Sequence, residues 1–146
     1  MIPRTAAETL KILARGYPVV AVTGPRQSGK TTLVRAAFPQ KPYVSLEDPD
    51  QREFAQDDPR RFLGRFADGA VLDEVQRCPA LFSYLQGRVD EDRRSGLFIL
   101  TGSQQFGLLS GVTQTLAGRV GFVRLLPFSL PELQAAARAP TELDEL

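Results

Sequence analysis

Residues 24–31 read Gly24-Pro25-Arg26-Gln27-Ser28-Gly29-Lys30-Thr31 and directly follow the apolar run Pro18-Val19-Val20-Ala21-Val22-Thr23. This stretch matches the pattern G-x-x-x-x-G-K-T, in which a loop joins a strand to a helix. Gly24 and Gly29 let the backbone approach a ligand closely, so that successive N–H groups point at phosphate oxygens. The helix expected to begin near Gly29 adds the positive end of its dipole at the same place. The alternative, a glycine-rich turn that binds nothing, leaves this strand-loop-helix context unexplained.

The side chains at the end of the loop suit a nucleoside triphosphate. Lys30 is placed to reach the β- and γ-phosphates as a point charge, and the Thr31 hydroxyl is placed to bind Mg²⁺. The apolar pattern continues as a helix over residues 32–38 until Pro39 stops it. The sequence therefore predicts a phosphate-binding site formed by Gly24, Pro25, Arg26, Gln27, Ser28, Gly29, Lys30, Thr31 and Thr32.

Composition limits the class of protein without deciding it. The chain has 146 residues, 42% of them hydrophobic and 24% charged, which suits one domain with a proper core. Its formal net charge of +1 produces no general attraction to nucleic acid or anionic lipid. With one cysteine and no histidine, a disulfide framework and a zinc site built on those residues are excluded. No apolar run has membrane-spanning length and no signal peptide pattern is present, so we predict a cytoplasmic protein without a membrane partner.

Apolar runs alternate with amphipathic segments along the chain. Helices are predicted over residues 5–15 and 79–92, and one or two more over residues 51–66, interrupted at Asp57-Asp58-Pro59. Strands that are apolar on both faces and separated by helices predict an α/β fold with a mainly parallel sheet covered on both sides. Besides the strand before the loop, the predicted strands are residues 42–46, 69–74, 96–102 and 121–126, and residues 106–116 form a helix or a loop.

The strand over residues 69–74 ends in two acids, Asp73 and Glu74. We expect both acids beside the phosphate loop, because ligands bind at the carboxyl edge of such sheets. Asp73 would face Mg²⁺ and help to hold it through its water shell. Glu74, expected on the other side of the pleat, would be the general base for water that attacks the γ-phosphate. The alternative is a solvated strand end, which an isolated acidic pair usually forms.

Two further groups are weaker candidates. After the strand over residues 96–102, Ser103 is the first choice for a hydroxyl that contacts the γ-phosphate or the attacking water, with Thr101 and Gln104 behind it. The alternative is a turn that needs Gly102 for its backbone. Arg119 precedes the last strand, and its planar charge suits a developing phosphoryl charge in the same molecule or a neighbour. The alternative for Arg119 is a surface arginine.

Several blocks together carry a family resemblance: residues 24–33, 44–49, 72–77, 100–104 and 116–120. In order and spacing they resemble the AAA-type ATPase domain of prokaryotic proteins that join it to a C-terminal DUF4143 region. The resemblance implies an ASCE-type P-loop NTPase, a three-layer α/β/α sandwich with a five-stranded sheet in the order 5-1-4-3-2. It also implies ATP as the nucleotide, a sensor-like position for Ser103 and a nucleotide-related one for Arg119.

The resemblance also implies that a core of this size is followed by a helical lid and a second domain. The sequence ends at Leu146, so the expectation is a single core domain over residues 1–146, truncated before that lid. We therefore predict Mg²⁺-dependent hydrolysis of ATP to ADP and phosphate, with Glu74, Lys30, Ser103 and Arg119 as catalytic residues. The alternative is a nucleotide-binding switch or interaction module without significant turnover. The sequence names no protein partner, and self-association is one open alternative.

Overall fold

Strands alternate with helices through the part of the chain that the computed structural model describes, residues 2–24, 29–102 and 116–125. The strands within these ranges are β1 (Val19–Thr23), β2 (Tyr43–Ser45), β3 (Ala70–Asp73), β4 (Phe98–Gly102) and β5 (Val120–Arg124). The helices are α1 (Ile2–Gly16), α2 (Lys30–Ala37), α3 (Pro49–Asp57), α4 (Pro59–Gly64) and α5 (Leu81–Glu91), with a short 3₁₀ helix at Val75–Arg77.

The five strands form one parallel sheet in the order β2-β3-β4-β1-β5. The pairing aligns Thr23 of β1 with Gly102 of β4 and with Arg124 of β5. The carboxyl ends of these strands therefore lie along one edge of the sheet, and β4 lies between the loop-bearing strand and the strand that ends in Asp73. The predicted α/β class and the order 5-1-4-3-2 are confirmed.

Helices cover both faces of the sheet, and β1, β3 and β4 are therefore buried along their whole length. Alternate strand residues such as Ala21 and Leu72 pack with apolar side chains of α3, α4 and α5. The intervening residues, such as Val20 and Val71, pack with α1 and α2. Burial of apolar surface on both faces stabilises the three-layer arrangement, and α2 lies on the same face as the side chains of Val71 and Ile99.

The helix boundaries follow local signals in the sequence. The segment predicted as one or two helices forms two, α3 and α4, which separate at Asp58 and Pro59. The Asp58 carboxylate accepts a hydrogen bond from the backbone N–H of Arg61 (3.3 Å), as an N-cap residue does. Of residues 106–116, the segment predicted as a helix or a loop, residues 106–115 lie outside the described residues. Within the described ranges, no helix combines the length and apolarity needed to cross a membrane.

Gly69, directly before β3, is expected to be essential for stability. Its φ of 86° is left-handed, and a Cβ at this position would lie 1.5 Å from the carbonyl oxygen of Leu97. We expect Gly69→Ala to lower the free energy of unfolding by about 2–4 kcal/mol in urea titrations. Gly87→Ala on the exposed side of α5, where nothing lies within 4 Å, is the control and should raise it by about 0.5–1 kcal/mol. Equal stability of the two variants would contradict this prediction.

Candidate functional site

The phosphate-loop motif joins the carboxyl end of β1 to the start of α2. Gly24 is buried beside the end of β4, where its backbone N–H donates to the carbonyl oxygen of Gly102 (3.3 Å). Gly29 has a left-handed backbone (φ 84°) and caps α2, which begins at Lys30. Pro25, Arg26, Gln27 and Ser28 lie outside the described residues. The two ends of the loop are therefore held at the carboxyl edge of the sheet, with the amino end of α2 next to them.

Asp73 ends β3 and accepts hydrogen bonds on both carboxylate oxygens. Oδ1 accepts from the hydroxyl of Thr31 on α2 (3.3 Å) and from the hydroxyl of Thr101 on β4. Oδ2 accepts from the hydroxyl of Tyr43 on β2 (2.7 Å). The residue is only 6% exposed, so these donors replace the water that a buried carboxylate loses. Asp73 is thus oriented by three separate elements of the fold.

Glu74 follows Asp73 but leaves the strand in a left-handed turn (φ 55°, ψ 45°). Its Oε2 lies 3.5 Å from the ammonium nitrogen of Lys30, and both side chains are 5% exposed. Its Oε1 accepts from the side-chain amide of Gln76 (2.6 Å). Alternation along the pleat, from which the direction of Glu74 was expected, does not apply because the strand has already ended at Asp73. A non-glycine residue with a left-handed backbone carries strain. In this conformation the Glu74 carboxylate lies beside Lys30 on α2.

Thr101 links the two acids. Its hydroxyl donates to Asp73 Oδ1 and accepts from the backbone N–H of Glu74 (3.3 Å). Thr101 was second to Ser103 in the sequence prediction, and the structure brings Thr101 to the acid pair. Ser103 and Gln104 lie outside the described residues, so their roles stay predictions.

Comparison with known families assigns the chain to a family. Residues 16–134 match the protein family described as an AAA domain, a range that includes more than half of the chain. The chain belongs to the AAA domain family. The family agrees with the P-loop pattern of residues 24–31, from which nucleotide binding was predicted. The family match does not test a DUF4143 association.

Two mycobacterial proteins are similar to this AAA domain. They are the uncharacterized protein Rv2008c of Mycobacterium tuberculosis and the uncharacterized protein Mb2031c of Mycobacterium bovis, each 35% identical over 137 residues. The alignment covers 92% of this chain and 31% of each relative. The chain therefore spans less than a third of the length of these curated relatives.

Solved structures share the fold of this AAA domain at low sequence identity. One is a DNA replication initiation factor (TM-score 0.61, 20% identity, 97% of this chain and 49% of that one). A second is the Walker-type ATPase PABY2304 of Pyrococcus abyssi (TM-score 0.57, 19% identity, 95% and 58%). A third is AMPPCP-bound DnaA of Aquifex aeolicus (TM-score 0.55, 20% identity, 84% and 46%). At these identities the similarity shows the common fold alone.

Tyr43 is a site residue of the AAA domain that the sequence reasoning missed. Burial raises the pKa of its phenol, and the hydrogen bond to Asp73 raises it further. The hydroxyl, protonated at neutral pH as in any tyrosine, donates to the Asp73 carboxylate. A tyrosine in a short predicted strand gave no signal by itself, because its contact with Asp73 depends on which strand lies beside β3.

Arg119 lies at the opposite edge of the sheet from the phosphate loop. It directly precedes β5, and its carbonyl oxygen accepts from the backbone N–H of Val19, the first residue of β1. Its guanidinium pairs with Asp90 on α5 (2.6 Å), and this hydrogen bond lowers the pKa of Asp90. The structure does not bring Arg119 together with those predicted site residues that it describes, so a role in the nucleotide site of its own chain has no geometric support.

The AAA domain offers oxygen atoms as metal ligands at this site. The Thr31 hydroxyl and Asp73 Oδ1 lie 3.3 Å apart at the carboxyl edge. Among the described residues there is no group of three or more histidine, cysteine, aspartate or glutamate side chains that could hold a metal ion. Two oxygen donors suit Mg²⁺, which keeps several of its waters and binds through one or two protein ligands and phosphate oxygens. The donor set therefore fits Mg²⁺ bound together with a nucleotide.

Proposed function

We propose that this AAA domain binds ATP together with Mg²⁺ and hydrolyses it to ADP and phosphate. The observation that carries the proposal is a set of contacts between two pairs of consecutive residues. Lys30 and Thr31 begin α2, and they face Glu74 and Asp73, respectively, at the end of β3. A cation, a hydroxyl and two carboxylates around a loop of this pattern are groups that phosphoryl transfer to water uses.

The phosphates would be bound by backbone N–H groups of residues 24–29, the amino end of α2 and the charge of Lys30. Lys30 now pairs with Glu74, and both are almost fully buried. Phosphate oxygens that enter the site compete with Glu74 for the same ammonium group. Nucleotide binding would therefore satisfy Lys30 with phosphate and release the Glu74 carboxylate for chemistry.

Thr31 and Asp73 would hold the metal ion through their oxygen atoms. The chemistry that Mg²⁺ would supply when bound is positive charge that offsets the negative charge of the phosphates. Thr101 would keep both acids in place, because its hydroxyl contacts the Asp73 carboxylate and the Glu74 backbone. The start of α2, the proposed metal ligands and Glu74 thus lie together at the carboxyl edge of the sheet.

Glu74 would act as the general base. Water attacks the γ-phosphorus, the bond between that phosphorus and the bridging oxygen of ADP breaks, and the water proton passes to the Glu74 carboxylate. The amide of Gln76, which donates to Glu74, would steady the carboxylate during this transfer. We further propose Ser103, the residue after β4, as a γ-phosphate contact, and Arg119 as a contributor to the site of a neighbouring molecule.

A nucleotide-binding switch without turnover is the second candidate, and the engagement of Glu74 favours it. Glu74 contacts both Lys30 and Gln76. A domain that binds nucleotide while Lys30 stays paired with Glu74 would have no free general base and would not hydrolyse ATP. Phosphate release separates the two candidates, because only the ATPase produces it.

The proposal is tested by binding of ATP, ADP and GTP to the purified chain with and without Mg²⁺, with phosphate release followed in the same samples. We expect Mg²⁺-dependent binding, a preference for ATP over GTP, and release of phosphate. Binding without release would favour the switch. The absence of binding for all three nucleotides would contradict both candidates.

A further inference from the structure

The edge strand β2 contributes a side chain to the acid pair. Tyr43 donates its hydroxyl proton to Asp73 Oδ2 at 2.7 Å, while the guanidinium of Arg35 lies 4.4 Å from the centre of the Tyr43 ring. Neither Tyr43 nor Arg35 belongs to the phosphate-loop motif or to the acid pair. Their placement gives them a role through Asp73.

The strand register explains why a tyrosine is suited to this contact. Ser45 is the residue of β2 opposite Asp73, whereas Tyr43 is opposite Val71. Tyr43 and Asp73 lie on the same face but are offset by two residues, a distance of about 7 Å along a strand. A long, rigid side chain with a terminal hydroxyl spans this offset, which a serine or threonine at position 43 would leave open.

The contacts divide the Asp73 carboxylate between two tasks. Oδ1 faces Thr31 and Thr101, which belong to the proposed metal site and its support. Oδ2 is held by Tyr43. A carboxylate held at one oxygen presents the other in a constant direction, as outer contacts commonly do for metal ligands.

The ring of Tyr43 is itself fixed by α2. Arg35 follows Thr31 by four residues, so both side chains lie on one side of that helix. Its guanidinium over the ring is a cation–π contact, which favours a single ring position. The contacts form a closed path: Thr31 on α2, Asp73 on β3, Tyr43 on β2 and Arg35 back on α2.

We propose that Tyr43 is a positioning residue for Asp73, which sets the direction of its Oδ1 for Mg²⁺ binding. The inference rests on the proposed function, since it assigns Asp73 to the metal. Tyr43 touches neither nucleotide nor water in this role. Its loss should therefore weaken Mg²⁺ binding while it leaves metal-free nucleotide binding unchanged.

The test is Tyr43→Phe, which keeps the ring and removes only the hydroxyl. We expect about a tenfold weaker apparent affinity for Mg²⁺ at a fixed concentration of fluorescent ATP analogue, since outer contacts of metal ligands commonly change affinity 10- to 100-fold. Nucleotide affinity in EDTA should match the wild type, and saturating Mg²⁺ should restore the rate of phosphate release. The melting temperature should fall by a few degrees, because the variant loses a buried hydrogen bond to a carboxylate. Tyr84→Phe, at an exposed tyrosine on α5, is the matched control and should change none of these quantities.

Intrinsic fluorescence gives a readout that does not depend on turnover. The chain has three tyrosines and no tryptophan, so its emission comes from tyrosine alone. Mg²⁺ with nucleotide should change the emission of the wild type and of Tyr84→Phe, and the change should be absent in Tyr43→Phe. A Tyr43→Phe variant with wild-type Mg²⁺ affinity would overturn the inference and leave the proposed ATPase intact. A wild type without Mg²⁺-dependent binding would overturn the proposed function, and the inference with it.

Discussion

Glu74→Gln is expected to lower the rate of phosphate release by about 100-fold or more, because a general base commonly contributes 10²–10⁴ to such a rate. The amide has the shape of the carboxylate, and its oxygen still accepts from Gln76, so the left-handed turn should be preserved. ATP affinity should be unchanged or higher, since the substitution removes a buried negative charge 3.5 Å from Lys30. Phosphate release and ATP binding are measured on the same preparation.

Glu53→Gln is the matched control for that experiment. It makes the same chemical change at an exposed residue of α3, and it should have wild-type binding and turnover. Phosphate release by Glu74→Gln at the wild-type rate would show that Glu74 is not the base. A wild type that binds ATP and releases no phosphate would instead favour the switch.

Lys30→Ala is expected to lower the affinity for ATP by at least about 100-fold, since loss of a charge-assisted contact costs about 3 kcal/mol. Lys30 is the first residue of α2 and is 5% exposed, so water takes over little of its role. The loss should occur with ATP and ADP, in the presence or absence of Mg²⁺. Competition with a fluorescent nucleotide measures it directly.

Two further variants make the Lys30 result interpretable. Lys11→Ala removes the same charge from an exposed position on α1 and should leave ATP affinity unchanged. Lys30→Met keeps most of the aliphatic stem, so it separates loss of charge from loss of buried volume, and it should bind ATP as poorly as Lys30→Ala. Wild-type affinity in both Lys30 variants would contradict the ATPase and the switch together.

Several features of the site were accessible from local sequence. The spacing of Gly24, Gly29 and Lys30 fixes a loop between strand and helix, because glycine geometry and the start of a helix are set by neighbours along the chain. The apolar runs indicated the strands, because burial on both faces requires apolar residues at successive positions. Asp58-Pro59 indicated the break between α3 and α4. The position of Arg119 also had a signal: a residue directly before a parallel strand lies at the amino edge, away from the ligand.

The sequence by itself therefore determined the α/β class, the phosphate-loop pattern and the acid pair, since each follows from contiguous residues. The sheet order came from the family resemblance. Tertiary structure decided which side chains meet. Tyr43 and Asp73 are 30 residues apart and contact each other only because β2 pairs with β3 in one register. Thr101 reaches both acids because β4 lies between β1 and β3. Such contacts depend on strand order and register, which arise from packing of the whole sheet and leave no pattern in any single segment.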